Sequence, residues 1–207
     1  MNNKTHLAAV LGAALCLCIA LPGCSDDAEA QTPTFSLSSP DLASGTFPAR
    51  HLLNGFGCTG GNVSPELAWS NPPAGTRSYA LQVRDLDAAA GGFWHWAVYN
   101  IPASATGLPQ GAGNQASTLP APAFGGNTDF FDTGATGTNG NYGGPCPPAG
   151  DGVHRYVFTV YALAVDDVAA AAGLPRSGMS GLYSVILNRA LGSSLLGTAS
   201  FTATYSR

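Results

Sequence analysis

The sequence predicts a mostly β domain with a few helices late in the chain. Its 207 residues suit one domain, and a hydrophobic fraction of 45% is enough for a packed core. The 27 glycines and 15 prolines would break a long helical array. Several segments alternate apolar with polar residues, or are rich in aromatic and β-branched residues, as strands are.

Five segments carry the strand pattern. Tyr79, Leu81 and Val83 share one face of an alternating segment, and the aromatic segment from Phe93 is typical of a central strand. The segment that begins at Arg155 shows the strongest pattern. The predicted strands lie at residues 35–38, 78–84, 93–101, 155–163 and 196–205.

Two helices are predicted after the fourth strand. The first covers 168–172, with Asp166 or Asp167 as its N-cap and Gly173 at its end. The second covers 179–191, where apolar residues recur at spacings of three and four.

The N-terminus has the pattern of an export signal. The 15 residues 7–21 are all apolar or glycine, fewer than the ~20 that span a bilayer. Two processing sites compete: a lipobox-like segment that would lipidate Cys24, and an A-x-A site that would be cleaved after Ala30. An uncleaved anchor is a third reading. All three place the domain in the cell envelope or periplasm. The lipobox reading makes residues 1–23 the signal and 24–34 a flexible acidic tether.

Cysteine usage agrees with export. Only Cys58 and Cys146 remain beyond the signal and Cys24, and an even pair in an oxidising compartment allows a disulfide. Two separate buried thiols are the alternative.

The charge pattern excludes two classes of partner. The net charge is −4, and Lys4 is the sole lysine, so the chain lacks the basic patch of a nucleic-acid binder. For the same reason we expect no polybasic binding to anionic lipid. The membrane contact that the sequence allows is a lipid anchor at the N-terminus.

Polar residues that could bind a ligand or catalyse a reaction lie at the ends of the predicted strands. Such positions converge on one rim of a sheet, and Gly/Pro-rich loops beside them allow a ligand to approach the backbone. Asp next to a strand also caps turns, and a histidine between tryptophans is also found as a hydrogen-bonded core residue. The groups concerned are Asp85, Asp87, His95, Gly144 and His154.

Six motifs in order resemble the phosphatidylethanolamine-binding protein family, in its bacterial Raf-kinase-inhibitor-like branch. The resemblance extends from about Phe35 to Tyr205 and implies a domain at 35–207. The motifs are NVSPELAW from Asn62, PAGT from Pro73, DLD from Asp85, WHW from Trp94, YGGPCPP from Tyr142 and HRY from His154.

The resemblance implies a β-sandwich around a large central antiparallel sheet, with a pocket for phosphate-like groups at one end. His95, His154, Tyr156 and the Gly144 N–H would donate to the anion, and Asp85 would hold an imidazole or accept from an ammonium. Trp94 and Trp96 would wall the pocket. The implied ligand residues are Asp85, Asp87, Trp94, His95, Gly144, Pro145, His154 and Tyr156.

Among its departures from the family pattern, this chain has Leu86 and Ala89 where prolines are usual. The resemblance also places Cys58 and Cys146 in pocket-side loops, close enough for a disulfide.

The leading functional hypothesis is a binding module for a phosphorylated small molecule or a phospholipid head group, with no cofactor and no catalysis required. The first alternative is a metal-dependent phosphoester hydrolase that uses Asp85, Asp87, His95 and His154. The second is an inhibitor or regulator of an envelope protease or kinase.

Overall fold

A computed structural model describes residues 33–131, 133–137 and 139–207. The predicted signal at residues 1–23, Cys24 and most of the tether lie outside the described residues. Within the described part of the chain, no helix is both long enough and apolar enough to cross a membrane.

The described residues include ten strands and two short α-helices. The strands are β1 Ser36–Ser38, β2 Asn54–Gly55, β3 Cys58–Thr59, β4 Leu67–Ser70, β5 Ser78–Asp85, β6 Phe93–Pro102, β7 Gly107–Leu108, β8 Phe124–Gly125, β9 Val153–Leu163 and β10 Leu195–Ser206. The helices are α1 Val168–Ala172 and α2 Ser180–Val185, and a π-helical turn, Ile186–Ala190, continues α2.

The strands form one large sheet and two small ones. The five-stranded sheet has the order β10-β9-β5-β6-β8, and every neighbouring pair in it is antiparallel. A three-stranded antiparallel sheet has the order β1-β4-β7. The prediction of a mostly β sandwich with a large antiparallel sheet is therefore confirmed.

The large sheet is covered on both faces. Successive residues of its central strands point to opposite faces, and both sets are buried. One face packs against the small sheet, where Leu81 and Val98 meet Leu67 and Trp69. The other face packs against the helices, where Tyr99 stacks on Tyr183 at 4.1 Å between ring centroids. Burial on both faces is clear in β5, where every residue except Arg84 is buried although four of the eight are polar.

The predicted strands and helices all form, with small shifts at their ends. Asp167 caps α1 by accepting a hydrogen bond from the Ala170 N–H, and Gly173 ends the helix in the left-handed conformation. The second helix differs from the prediction of a continuous helix over 179–191. It widens into the π-helical turn at Ile186, and there Asn188 donates to the hydroxyl of Tyr161 on β9.

Candidate functional site

A pocket of about 270 Å³ lies where β5 ends, β6 begins and β9 begins. We call it the strand-end pocket. Cys146 and the two prolines after it form part of its rim. Its polar and aromatic lining consists of Asp85, His95, Asp151, His154, Phe56, Phe93, Phe130 and Tyr156.

Strand register brings the polar lining together. Asp85 pairs with Phe93 on one neighbouring strand and with Tyr156 on the other, so the three residues form one row across the sheet. His154 precedes Tyr156 by two residues and shares its face. Antiparallel pairing thus brings Asp85 next to Tyr156, which lies 71 residues later in the sequence.

A β-bulge places His95 and Trp96 on the same face of the large sheet. Arg84 pairs with Trp94 and Val83 pairs with Trp96, which leaves His95 as the extra residue between them. A bulge changes the alternation of the strand that carries it. His95 lines the pocket, while Trp96 packs on the same face in the core against Tyr142.

His154 lies between two carboxylates. Its Nδ1 is 2.7 Å from Oδ2 of Asp85, and its Nε2 is 3.2 Å from Oδ2 of Asp151. Both ring nitrogens must donate to these acceptors, and only the imidazolium has two N–H groups. Burial opposes that charge, but the carboxylates outweigh it and raise the pKa of His154.

His95 has the opposite tendency. Burial lowers its pKa and favours the neutral ring. Its Nδ1 donates to the Gly143 carbonyl at 2.8 Å, because a carbonyl oxygen only accepts. No described residue hydrogen-bonds the Nε2 atom, which in the neutral ring is an acceptor. The pocket thus holds one imidazolium and one imidazole with an open nitrogen.

Tyr156 adds a buried hydroxyl. Burial first, and the nearby Asp85 carboxylate second, raise the pKa of Tyr156, so the hydroxyl keeps its proton. Among the described residues this hydroxyl has no hydrogen-bond partner. Asp85 itself accepts from the N–H groups of Asp87 and Ala88 at 2.9 and 3.2 Å, which holds the loop after β5.

Asp87 lies outside this arrangement. Both its carboxylate oxygens bind the Arg155 guanidinium, at 2.9 and 2.7 Å, and one also accepts from the Arg155 N–H. The Arg155 side chain holds the pKa of Asp87 down to about 2. The expectation that Asp87 lines the pocket is corrected. The Asp87 carboxylate lies at the protein surface, where it binds Arg155.

Gly144 and Pro145 lie behind the rim rather than in the lining. The Gly144 N–H donates to Oδ1 of Asn62 at 2.8 Å, so it is not available to an anion. A Cβ at Gly144 would lie 2.2 Å from the His51 carbonyl oxygen, so only glycine fits this close approach. The expected donor role of Gly144 is thus corrected to a structural one.

Trp94 lies on the opposite face of the large sheet. Strand alternation turns it away from His95, and its ring lies under the Arg84 guanidinium at 5.0 Å. The expectation that Trp94 and Trp96 wall the pocket is therefore wrong. The aromatic wall consists of Phe56, Phe93 and Phe130. The Phe130 ring meets the His95 ring edge-on at 5.4 Å.

Cys58 and Cys146 form a disulfide, with 6.0 Å between their Cα atoms. Cys146 belongs to the pocket rim and Cys58 to β3, so the bond fixes the rim to the β2–β3 hairpin. Of the two residues that stand where the family has prolines, Ala89 lines the pocket and Leu86 is exposed on the other face.

Of the four residues considered for a metal, Asp85, His95 and His154 line the pocket and Asp87 does not. Asp87 is held by Arg155, and Asp85 is held by His154. Throughout residues 33–131, 133–137 and 139–207, no group of three or more His, Cys, Asp or Glu side chains could hold a metal ion.

Sequence reasoning missed two kinds of lining residue. Phe56 and Phe130 come from loops far apart in the chain, and no local pattern marks them. Asp151 had a signal, because it precedes His154 by three residues in a tight turn.

Comparison with known proteins agrees with this architecture. The family model described as phosphatidylethanolamine-binding protein matches residues 43–206. YbcL of Escherichia coli is 44% identical over 143 residues, which are 68% of this chain and 74% of YbcL. LppC of Mycobacterium tuberculosis, named as a candidate lipoprotein, is 34% identical over 187 residues, or 80% of this chain and 84% of LppC.

A solved structure shares the fold. The crystal structure of YbcL, described as a member of the mammalian PEBP family, superimposes with a TM-score of 0.70 at 36% identity. The match covers 84% of this chain and 98% of that structure.

Proposed function

Because this chain belongs to the phosphatidylethanolamine-binding protein family, we propose that it is a binding module whose strand-end pocket takes a phosphate-bearing head group or small molecule. One observation carries the proposal: an imidazolium, His154, and a neutral imidazole with an open nitrogen, His95, line the same small pocket. A phosphate offers several strong acceptor oxygens to the His154 imidazolium, and to His95 once its ring has gained a proton at Nε2. No step of catalysis is required of these residues.

The aromatic walls strengthen the polar contacts. Phe93 and Phe130 pack against the His95 ring at 5.1 and 5.4 Å between centroids. These rings exclude water from one side of the pocket, and charges attract each other more strongly where the effective dielectric constant is low.

The charge balance favours a ligand that carries an ammonium beside its phosphate. Asp85 and Asp151 contribute two negative charges, and His154 contributes one positive charge. The Asp151 side chain is 51% exposed and is the outer partner of His154. A phosphate that takes its place at Nε2 of His154 would release Asp151 to accept from an ammonium group. Phosphoethanolamine has this combination of groups.

We further propose that the protein is exported and anchored by a lipid at Cys24. The apolar run before Cys24 supports export, and the candidate lipoprotein name of LppC supports the anchor. Globomycin, which blocks lipoprotein signal cleavage, should retain the uncleaved form. Unchanged processing with cleavage before Gln31 would contradict the anchor.

Calorimetric titration with phosphoethanolamine tests the ligand. The purified protein should bind it more tightly than inorganic phosphate or ethanolamine. His154→Gln should weaken the affinity by about tenfold or more, since hydrogen bonds to charged groups contribute about 1.5–3 kcal/mol. Arg155→Gln is the matched control, because it removes the adjacent positive charge outside the pocket. Equal loss in both variants would contradict the proposal.

A further inference from the structure

The opposite face of the large sheet holds a second cavity, of about 190 Å³. Gln82 and Arg84 of β5 form its floor, and Ser184 of α2 and Asn188 of the π-helical turn form its cover. We call it the helix-side cavity. The sheet separates it from the strand-end pocket, because Asp85 points to one face while Gln82 and Arg84 point to the other.

Gln82 presents a buried acceptor to this cavity. Its side chain is 2% exposed, and its Nε2 donates to the Tyr99 hydroxyl at 2.9 Å and to the Ser180 carbonyl at 3.0 Å. The Ser180 carbonyl only accepts, which fixes the orientation of the amide. The Oε1 atom has no partner among the described residues, and an unpaired buried oxygen costs about 1–3 kcal/mol.

Arg84 presents a buried donor. Its Nε is buried and lacks a partner within the described part of the chain. One terminal nitrogen donates to the Gly91 carbonyl, and the guanidinium lies over the Trp94 ring. The ion pairs formed by described residues leave Arg84 without a carboxylate.

The cover of the cavity is also irregular. Asn188 lies in the π-helical turn and donates to the Tyr161 hydroxyl at 3.3 Å and to the Ser184 carbonyl at 2.8 Å. The Tyr161 hydroxyl accepts in that contact, so its own proton remains free to donate. π-Helical turns are rare and recur at functional sites.

We propose that the helix-side cavity is a second binding site, for a small hydroxycarboxylic acid. The carboxylate would accept from Arg84 and Tyr161, and the hydroxyl would donate to Oε1 of Gln82. A ligand with a carboxylate but no hydroxyl would leave the Gln82 oxygen unpaired. A ligand with a hydroxyl but no carboxylate would leave the Arg84 charge unpaired. The volume equals roughly six water molecules at ~30 Å³ each, which limits the ligand to a compact acid.

Proton–nitrogen NMR of the tryptophan indoles tests this proposal with L-lactate as the probe. The Trp94 indole signal, assigned with Trp94→Phe, should shift on titration. Propionate lacks the hydroxyl and 1,2-propanediol lacks the carboxylate, so each should bind about tenfold more weakly. Saturation with phosphoethanolamine should leave the lactate affinity unchanged, because the two sites lie on opposite faces of the sheet.

Two variants in the cavity and one control variant make the test specific. Arg84→Met retains an unbranched side chain over Trp94 but should weaken lactate binding about tenfold, while Arg77→Met removes an exposed arginine elsewhere and should not. Ser184→Leu should fill the cavity and abolish binding. The proposal is overturned if lactate produces no shift, if propionate binds equally well, or if Arg84→Met binds lactate as tightly as the wild type. A cavity that holds water alone gives the first of these results.

Discussion

Nδ1 of His154 lies 2.7 Å from Oδ2 of Asp85, and both side chains are almost wholly buried. Asp85 therefore holds the charged form of the one imidazolium in the strand-end pocket. The same carboxylate accepts two backbone N–H groups from the loop after β5. The charge of the pocket and the shape of its loop thus depend on one residue.

Asp85→Asn should make unfolding stability less dependent on pH. The pKa of His154 is raised in the folded protein, so its contribution is complete below the unfolded pKa of 6.5 and is lost as pH rises through the folded pKa. Loss of one partner of a buried pair costs about 3–5 kcal/mol, and the loss should be larger at pH 6 than at pH 9. Urea unfolding at both values measures it. Asp87→Asn, which breaks an exposed pair, is the control and should retain the wild-type pH dependence across this range.

Asp151→Ala should change ligand preference rather than abolish binding. The carboxylate competes with phosphate for Nε2 of His154, so its removal should strengthen binding of inorganic phosphate. It should also reduce the preference for phosphoethanolamine, because the acceptor for the ammonium is lost. Parallel calorimetric titrations give the ratio of the two affinities. A ratio equal to that of the wild type would contradict the role assigned to Asp151.

Phosphate binding should be coupled to proton uptake by His95. The neutral ring presents an acceptor at Nε2, and the ring must gain a proton before it donates there. Affinity should fall with rising pH, by at most about tenfold per pH unit. Titrations with phosphoethanolamine between about pH 7 and 9 avoid the pKa of its phosphate ester, which is ~6. His95→Gln supplies an uncharged donor and should flatten this dependence; an unaltered slope in that variant would show that His95 is not the group that titrates.

Removal of the disulfide should lower stability and loosen the rim. Cys58 and Cys146 are 88 residues apart, and bonds that close long loops stabilise by about 2–4 kcal/mol. The double variant Cys58→Ala/Cys146→Ala should lose that amount in denaturant unfolding. It should also bind phosphoethanolamine more weakly, because Cys146 lines the pocket. Equal stability with and without reducing agent in the wild type would contradict this prediction.

The sequence sufficed for the strands that position the site. Alternation and aromatic content located the long strands of the large sheet, and the placement of Asp85, His95 and His154 at strand ends brought them to one rim. These features depend on local pattern and on the geometry of antiparallel pairing, which residue type and spacing reveal.

The remaining details depend on long-range contacts that spacing does not encode. The bulge that places His95 and Trp96 on the same face depends on how β6 pairs with β5. The Gly144 N–H is occupied because Asn62, 82 residues away in sequence, reaches it. The ion pair between Asp87 and Arg155 forms because strand pairing brings these two side chains together.

The central claim, that His95 and His154 together receive a phosphate-bearing ligand, is tested most directly by long-range proton–nitrogen NMR of the histidine rings. His51 is the internal control, since it is buried and its Nδ1 is bound to the Val63 carbonyl away from the pocket. Addition of phosphoethanolamine should shift the ring nitrogens of His95 and His154 and leave those of His51 unchanged. Saturating ligand that shifts neither ring, or that shifts all three equally, would contradict the account.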